Sequence, residues 1–172
     1  SNDPTFSHSE YANVTVSELK DFSTELFDLQ GNPVGPEASA LPITVETGET
    51  VNVSMSITNI GNIEIPLSIK LQSANTDWGM YLVYDGEIEY DRVTFNLLPG
   101  HSTTVQVTAI IPLSTSDGSQ NAFSLTTRLD EVGTNQFITN GTNFLVGKLL
   151  GLSLESSGER VQATVGDWSQ YS

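Results

Sequence analysis

Four carboxylates fall in one short stretch, Asp85, Glu87, Glu89 and Asp91. Oxygen-rich groups at alternate positions are candidate ligands for Ca²⁺, which takes oxygens at about 2.3–2.6 Å. Alternate residues on a strand stand about 7 Å apart, so a regular strand keeps them from one ion. A bulge or bend at Asp91 would be needed to gather them. The plainer reading is a solvated acidic edge that keeps a strand from pairing with another chain. The two histidines, His8 and His101, lie in a polar N-terminal stretch and in a turn after Gly100. Neither has a second histidine at ligand spacing, and an exposed turn histidine is the default.

Catalytic patterns are lacking. A glycosidase needs two carboxylates about 5 to 9.5 Å apart across a cleft; among 21 Asp and Glu some pair meets that distance by chance, and nothing singles one out. No nucleophile elbow, phosphate loop or metal motif occurs. There is no cysteine, which excludes thiol catalysis, disulfides and sulfur-ligated metal. The expectation is a non-enzyme with no cofactor. Asn13-Val14-Thr15, Asn52-Val53-Ser54 and Asn140-Gly141-Thr142 match the N-glycosylation sequon, although chance matches are expected in a chain rich in Asn, Ser and Thr.

The chain carries 6 Lys and Arg against 21 Asp and Glu, a net charge of −15 over 172 residues. Such a surface repels phosphate backbones and anionic lipid, which excludes nucleic acid as an expected partner. A salt-adapted host explains the acidity, and so does solubility alone. No apolar run reaches the roughly 18 residues needed to span a bilayer. Ser1 begins no signal-peptide pattern, so a signal or anchor is expected outside this stretch.

The elements that must position these residues read as strands throughout, with turn signals at intervals of roughly 8–12 residues, the mark of an all-β sandwich. In Thr50 to Ile57, Val51, Val53, Met55 and Ile57 face one way and Asn52, Ser54, Ser56 and Thr58 the other; period two means one buried face and one wet face. Leu67, Ile69 and Leu71 alternate likewise after Pro66. So do Thr103 to Ile111 and Phe123 to Leu129, followed by strands over Phe137 to Val146 and Leu149 to Leu154. Ser17 to Gln30 fits a helical turn or two, or a strand over Thr24 to Leu29. Val161, Ala163 and Val165 make a last edge strand or begin a further domain.

Asp85-Gly86 predicts a type I′ hairpin turn. It pairs Tyr84 with Glu87, Val83 with Ile88 and Tyr81 with Tyr90. That register puts Tyr81, Val83, Ile88 and Tyr90 on one face, expected to be the core, and Met80, Leu82 and Tyr84 outward with the acids. Val93, Phe95 and Leu97 are then out of phase, which a bulge or a sheet-switching bend near Asp91-Arg92 repairs. Exposed aromatics here, or Trp168 and Tyr171 in the tail, could stack on sugar rings; a covering loop or neighbouring domain is the plainer fate for them.

The marks Gly48-Glu49-Thr50, Thr58-Asn59-Ile60-Gly61-Asn62, Trp78, Leu98-Pro99-Gly100 and Ile111-Pro112 together resemble the CARDB-type and alpha-galactosidase-associated Ig-like domains of bacteria and archaea. The resemblance covers about residues 43 to 130. It departs after Pro112, where Ser114 to Phe123 replaces the usual short Ala-Gly-Tyr-like lead into the next strand. It implies an immunoglobulin-like two-sheet β-sandwich with Trp78 as a core anchor, no catalytic residues, and a structural or adhesive role that sometimes stands beside enzymes.

The reading is an N-terminal segment (1–10), a sandwich (11–166) and a tail (167–172). The expected function is a non-catalytic structural or adhesive module of a secreted or cell-surface microbial protein, as in an S-layer-like coat. Its partners would be other surface proteins, neighbouring domains or glycans, with no membrane insertion. Filament or virion subunits are a variant of this reading. The rivals are a carbohydrate-binding accessory module of a secreted glycosidase and, third, a hydrolase.

Overall fold

A computed structural model describes residues 14–34 and 42–147, and the backbone of three strands at 153–157, 160–165 and 169–171. His8, Asn13 and Trp168 lie outside the described residues, as does most of the expected strand Leu149 to Leu154.

The strands are β1 (Phe22–Phe27), β2 (Ile43–Val45), β3 (Thr50–Asn59), β4 (Ile65–Ser73), β5 (Gly79–Tyr84), β6 (Glu87–Glu89), β7 (Arg92–Leu97), β8 (Ser102–Ile110), β9 (Gln120–Leu129), β10 (Phe137–Val146), β11 (Ser153–Ser157), β12 (Arg160–Val165) and β13 (Ser169–Tyr171). One five-stranded sheet has the order β1-β3-β8-β5-β6 and the other β2-β10-β9-β4-β7. All their pairings are antiparallel except β2, which runs parallel to β10. The first sheet thus repeats the A-B-E-D arrangement of an immunoglobulin fold and the second its G-F-C arrangement with an added C′ strand. One departure stands out: the chain lays down β5, in the D position, before β7, in the C′ position. β11, β12 and β13 form a separate three-stranded sheet with β12 at its centre, so Val161, Ala163 and Val165 sit on a central strand, not an edge.

The segment after Ser17, open between helix and strand by sequence, is strand β1. Leu26 and Phe22 are buried while Ser23 and Glu25 face water. Val51, Val53, Met55 and Ile57 are buried on β3, as the alternation requires, and the strand runs two residues further. Val105, Val107 and Ala109 of the neighbouring β8 lie beside them on the same sheet, and Leu67, Ile69 and Leu71 of β4 with Phe123, Leu125 and Leu129 of β9 come from the opposite one. Burying each such side chain contributes about 1.5–3 kcal/mol. Trp78 is buried in the link before β5, its ring stacked on Phe144, which in turn stacks on Phe123.

Two buried asparagines close the ends of strands. Asn59 donates from Nδ2 to the carbonyls of Ile63 (2.8 Å) and Leu97 (2.7 Å) and accepts from the Gly61 amide (2.9 Å). Asn121 accepts from the Asn75 amide (2.8 Å) and donates to Ser73 Oγ (3.0 Å). The glycine at Gly61 answers a close approach and not a left-handed turn: a Cβ there would strike the Leu19 carbonyl and the Asp21 amide.

Candidate functional site

The hairpin forms in the expected register. Tyr84 pairs with Glu87 and Val83 with Ile88, and Asp85 and Gly86 both take positive φ, 50° and 82°, as a type I′ turn demands. The rings of Tyr81 and Tyr90 lie 6.0 Å apart. The face assignment, however, is reversed. Leu82 is buried, and Tyr84 stacks on Phe95 of the opposite sheet at 4.9 Å. Tyr81, Val83, Ile88 and Tyr90 therefore face away from the core, with Ile88 52 % and Tyr90 77 % exposed. Both faces of β5 are apolar, and the opposing sheet lies on the Leu82 side, so tertiary packing decides what period two leaves open.

The phase break near Asp91 is a change of sheet. β6 ends at Glu89 on the first sheet and β7 starts at Arg92 on the second. The result is an outward apolar patch at one edge of the first sheet, from Tyr81 and Val83 across to Ile88 and Tyr90. Ile110 of β8, half exposed, continues it beside Gly79, its register partner.

The acidic run does not converge. Glu87, Ile88 and Glu89 are all exposed, and Asp91 leans towards Lys70 at 3.9 Å. Among the described residues no three carboxylate or imidazole groups stand close enough to hold a metal ion, so Asp85, Glu87, Glu89 and Asp91 remain a dispersed edge. His101 is exposed in its turn, with Nδ1 3.1 Å from the Pro99 carbonyl. Asn52 is exposed on the outward face of β3 and accepts from Thr108 Oγ1 at 2.7 Å. Asn140 is half-buried and bonded to Thr24 Oγ1 of the other sheet at 2.6 Å, so it belongs to the seam between the layers.

A second surface lies on the outer face of the other sheet, where sequence reasoning placed nothing. Ser68, Lys70 and Gln72 of β4, Arg92 of β7 and Thr126 and Arg128 of β9 line an open groove of about 430 Å³, with Asp130 at its end. Pairing puts Lys70 directly opposite both Arg92 and Thr126, and Ser68 opposite Arg128. Arg92 bonds Asp130 at 2.8 Å. The Arg128 guanidinium sits over the Phe137 ring, 5.9 Å from its centroid. The only sequence sign of this groove was outward parity: Lys70 lies between Ile69 and Leu71, and Arg128 between Thr127 and Leu129. Strand order alone brings them together.

The carboxyl of Asp28 is held below its ordinary value. The Asn32 backbone amide, above all, lowers its pKa against an opposing push from desolvation, and the Asn32 side chain and the amides of Gln30 and Gly31 add to the lowering. That carboxylate closes a turn (Asn32 N to Oδ1 2.8 Å, Gln30 N to Oδ1 2.9 Å), a structural duty.

No protein-family model matches the chain, and no curated protein does. Among solved structures it is similar to a family 123 glycoside hydrolase from Clostridium perfringens, at 11% identity and a TM-score of 0.49 over 77% of this chain; the chain spans 28% of that hydrolase. It is also similar to a CARDB domain from Pyrococcus furiosus in complex with di-metal ions (14% identity, TM-score 0.42, 80% of this chain and 100% of that one). A third is an ASH/PapD-like domain of a human protein (15% identity, TM-score 0.39, 83% and 97%). The immunoglobulin-like layout stands on the strand order and register themselves.

Proposed function

We propose that this chain is a non-catalytic structural and adhesive module of a secreted or cell-surface microbial protein, working through the outer faces of its sandwich. The observation that carries this reading is the hairpin patch. Large apolar side chains at a sheet edge, turned away from an already filled core, mark a contact surface. The acidic residues around it keep the free edge from indiscriminate strand pairing. The interior supports the same reading, because Asn59 and Asn121 are engaged in tying turns to strands.

The carbohydrate-binding alternative draws on the same two tyrosines. Their rings are inclined by 58° and present no common plane to a sugar face, which favours a protein or neighbouring-domain contact.

The test uses beads coated with the chain and an envelope fraction of the source organism. Adhesion is expected, and Ile88→Ser with Tyr90→Ser is expected to abolish most of it while the circular-dichroism melt stays unchanged. Parallel incubation with a panel of glycosides is expected to give no turnover. Hydrolysis that disappears on substitution of a single carboxylate would contradict the proposal, as would adhesion indifferent to the double substitution.

A further inference from the structure

We propose that the groove across β7, β4 and β9 binds an acidic polysaccharide, a linear sugar polymer bearing carboxylate or sulfate groups. The inference rests on the adhesive reading and gives it a ligand class and a second face.

Charge placement is the first ground. The chain has six Lys and Arg, and three of them, Lys70, Arg92 and Arg128, line this one groove. In a chain with 21 acidic residues, two of those cations are register partners: Lys70 lies directly opposite Arg92. Like charges opposite one another on a sheet are destabilising, and an oxyanion seated over both removes the repulsion. Asp130, which itself lines the groove, offsets Arg92 at 2.8 Å, while Lys70 has only the more distant Asp91 at 3.9 Å.

Preorganisation is the second ground. Arg128 has no carboxylate partner among the described residues, and the half-exposed Phe137 ring holds its guanidinium. A cation stacked on an aromatic face keeps its in-plane N–H donors free for an anion. Asp130 holds Arg92 through one terminal nitrogen at 2.8 Å, which takes up that donor and leaves the others for a ligand. Little ordering is then left for binding to impose.

Shape selects the ligand. The groove is open and crosses strands about 4.8 Å apart, so it cannot enclose a compact molecule but can receive an extended one. Beside Lys70 stand Gln72, two residues along β4, and Thr126, across from it on β9, neutral hydrogen-bonding groups suited to sugar hydroxyls. A nucleic acid would ask for stacking platforms along the path and a denser run of cations. The chain's overall negative charge does not forbid the contact: at about 0.15 M salt the screening length is about 8 Å, so the nearby cations dominate.

Calorimetric titration of the whole chain with polygalacturonate, dextran sulfate and uncharged dextran at about 0.15 M salt tests this. Binding of polygalacturonate, of dextran sulfate or of both is expected, with none to dextran; which polymer binds assigns the carboxylate or the sulfate. Lys70→Gln with Arg128→Gln should weaken binding at least about tenfold. Lys20→Gln, on a lysine paired elsewhere with Glu131, should leave it within about twofold. All three side chains are at least partly exposed, and the melt of each variant verifies the fold.

Four results would overturn the inference: no binding to either charged polymer, binding indifferent to the double substitution, tighter binding of oligothymidylate, or a dimer in sedimentation that the same substitutions dissolve. Loss of polymer binding with hairpin-dependent adhesion intact refutes this inference alone; the reverse pattern refutes the hairpin reading alone.

Discussion

Asn59 is fully buried where β3 ends, and its side chain satisfies two carbonyls and one amide. Asn59→Ala leaves those three backbone groups without it. Each buried group so orphaned costs about 1–3 kcal/mol, and relaxation recovers part, so urea unfolding should show a loss of about 3 kcal/mol. Thr127 presents the opposite case. Its Oγ1 is buried among apolar neighbours on β9 with no hydrogen-bond partner among the described residues. Thr127→Val keeps the shape and removes the unpaired hydroxyl, and should raise stability by about 1 kcal/mol in the same assay. Asp28 gives a pH dependence. Its pKa lies below the ordinary 3.8 in the folded chain, so its contribution is present above pH 3.8 and is lost as pH falls through the lowered value. Amide exchange at Asn32 should quicken over that acid range, and Asp28→Asn should remove the dependence. These duties were unreadable beforehand: Asn59 and Gly61 belonged to a recognisable turn, but its partner Leu97 lies far along the chain.

Among the elements, β3 and the β5–β6 hairpin mark what a sequence can and cannot specify. On β3 the apolar and polar residues separate cleanly, and burial follows the alternation residue by residue. On β5 both parities are apolar, so Asp85-Gly86 fixes the register while the opposing sheet, through Phe95 on Tyr84, fixes the inward face. The prediction at this scale concerns the turn. Gly86 has φ 82°, a conformation that costs a residue with a Cβ about 1–2 kcal/mol. Gly86→Val should therefore speed amide exchange in β6 while leaving β3 and β8 protected, because β6 is an edge strand paired to β5 alone. Equal loosening of β3 would refute that independence.

For the whole molecule, the two layers follow from alternation, but the path between them does not. The change of sheet between Glu89 and Arg92 was readable as a break in phase, whereas the order β10-β9-β4-β7, which gathers Lys70, Arg92 and Arg128, required the pairing itself. Net charge acts at this scale too. A charge of −15 repels itself in the compact state, and salt from about 0.01 M to about 1 M shortens the screening length from about 30 Å to about 3 Å. The melting temperature should rise over that range; a fall would show that the attractive pairs outweigh the repulsion.

The physical claim beneath the rest is that apolar residues of β3 and β8 are sealed between layers while the hairpin patch is open to contact. The chain has no cysteine, so single cysteines placed by substitution report accessibility without background. Maleimide labelling followed by mass spectrometry should find Asn52→Cys, Gln106→Cys, Ile88→Cys and Tyr90→Cys modified at once in the native chain. Val53→Cys, Met55→Cys and Val107→Cys should react only after urea unfolds it. Native labelling of Val53→Cys or Met55→Cys as fast as Asn52→Cys, or protection of Ile88→Cys and Tyr90→Cys, would contradict the account.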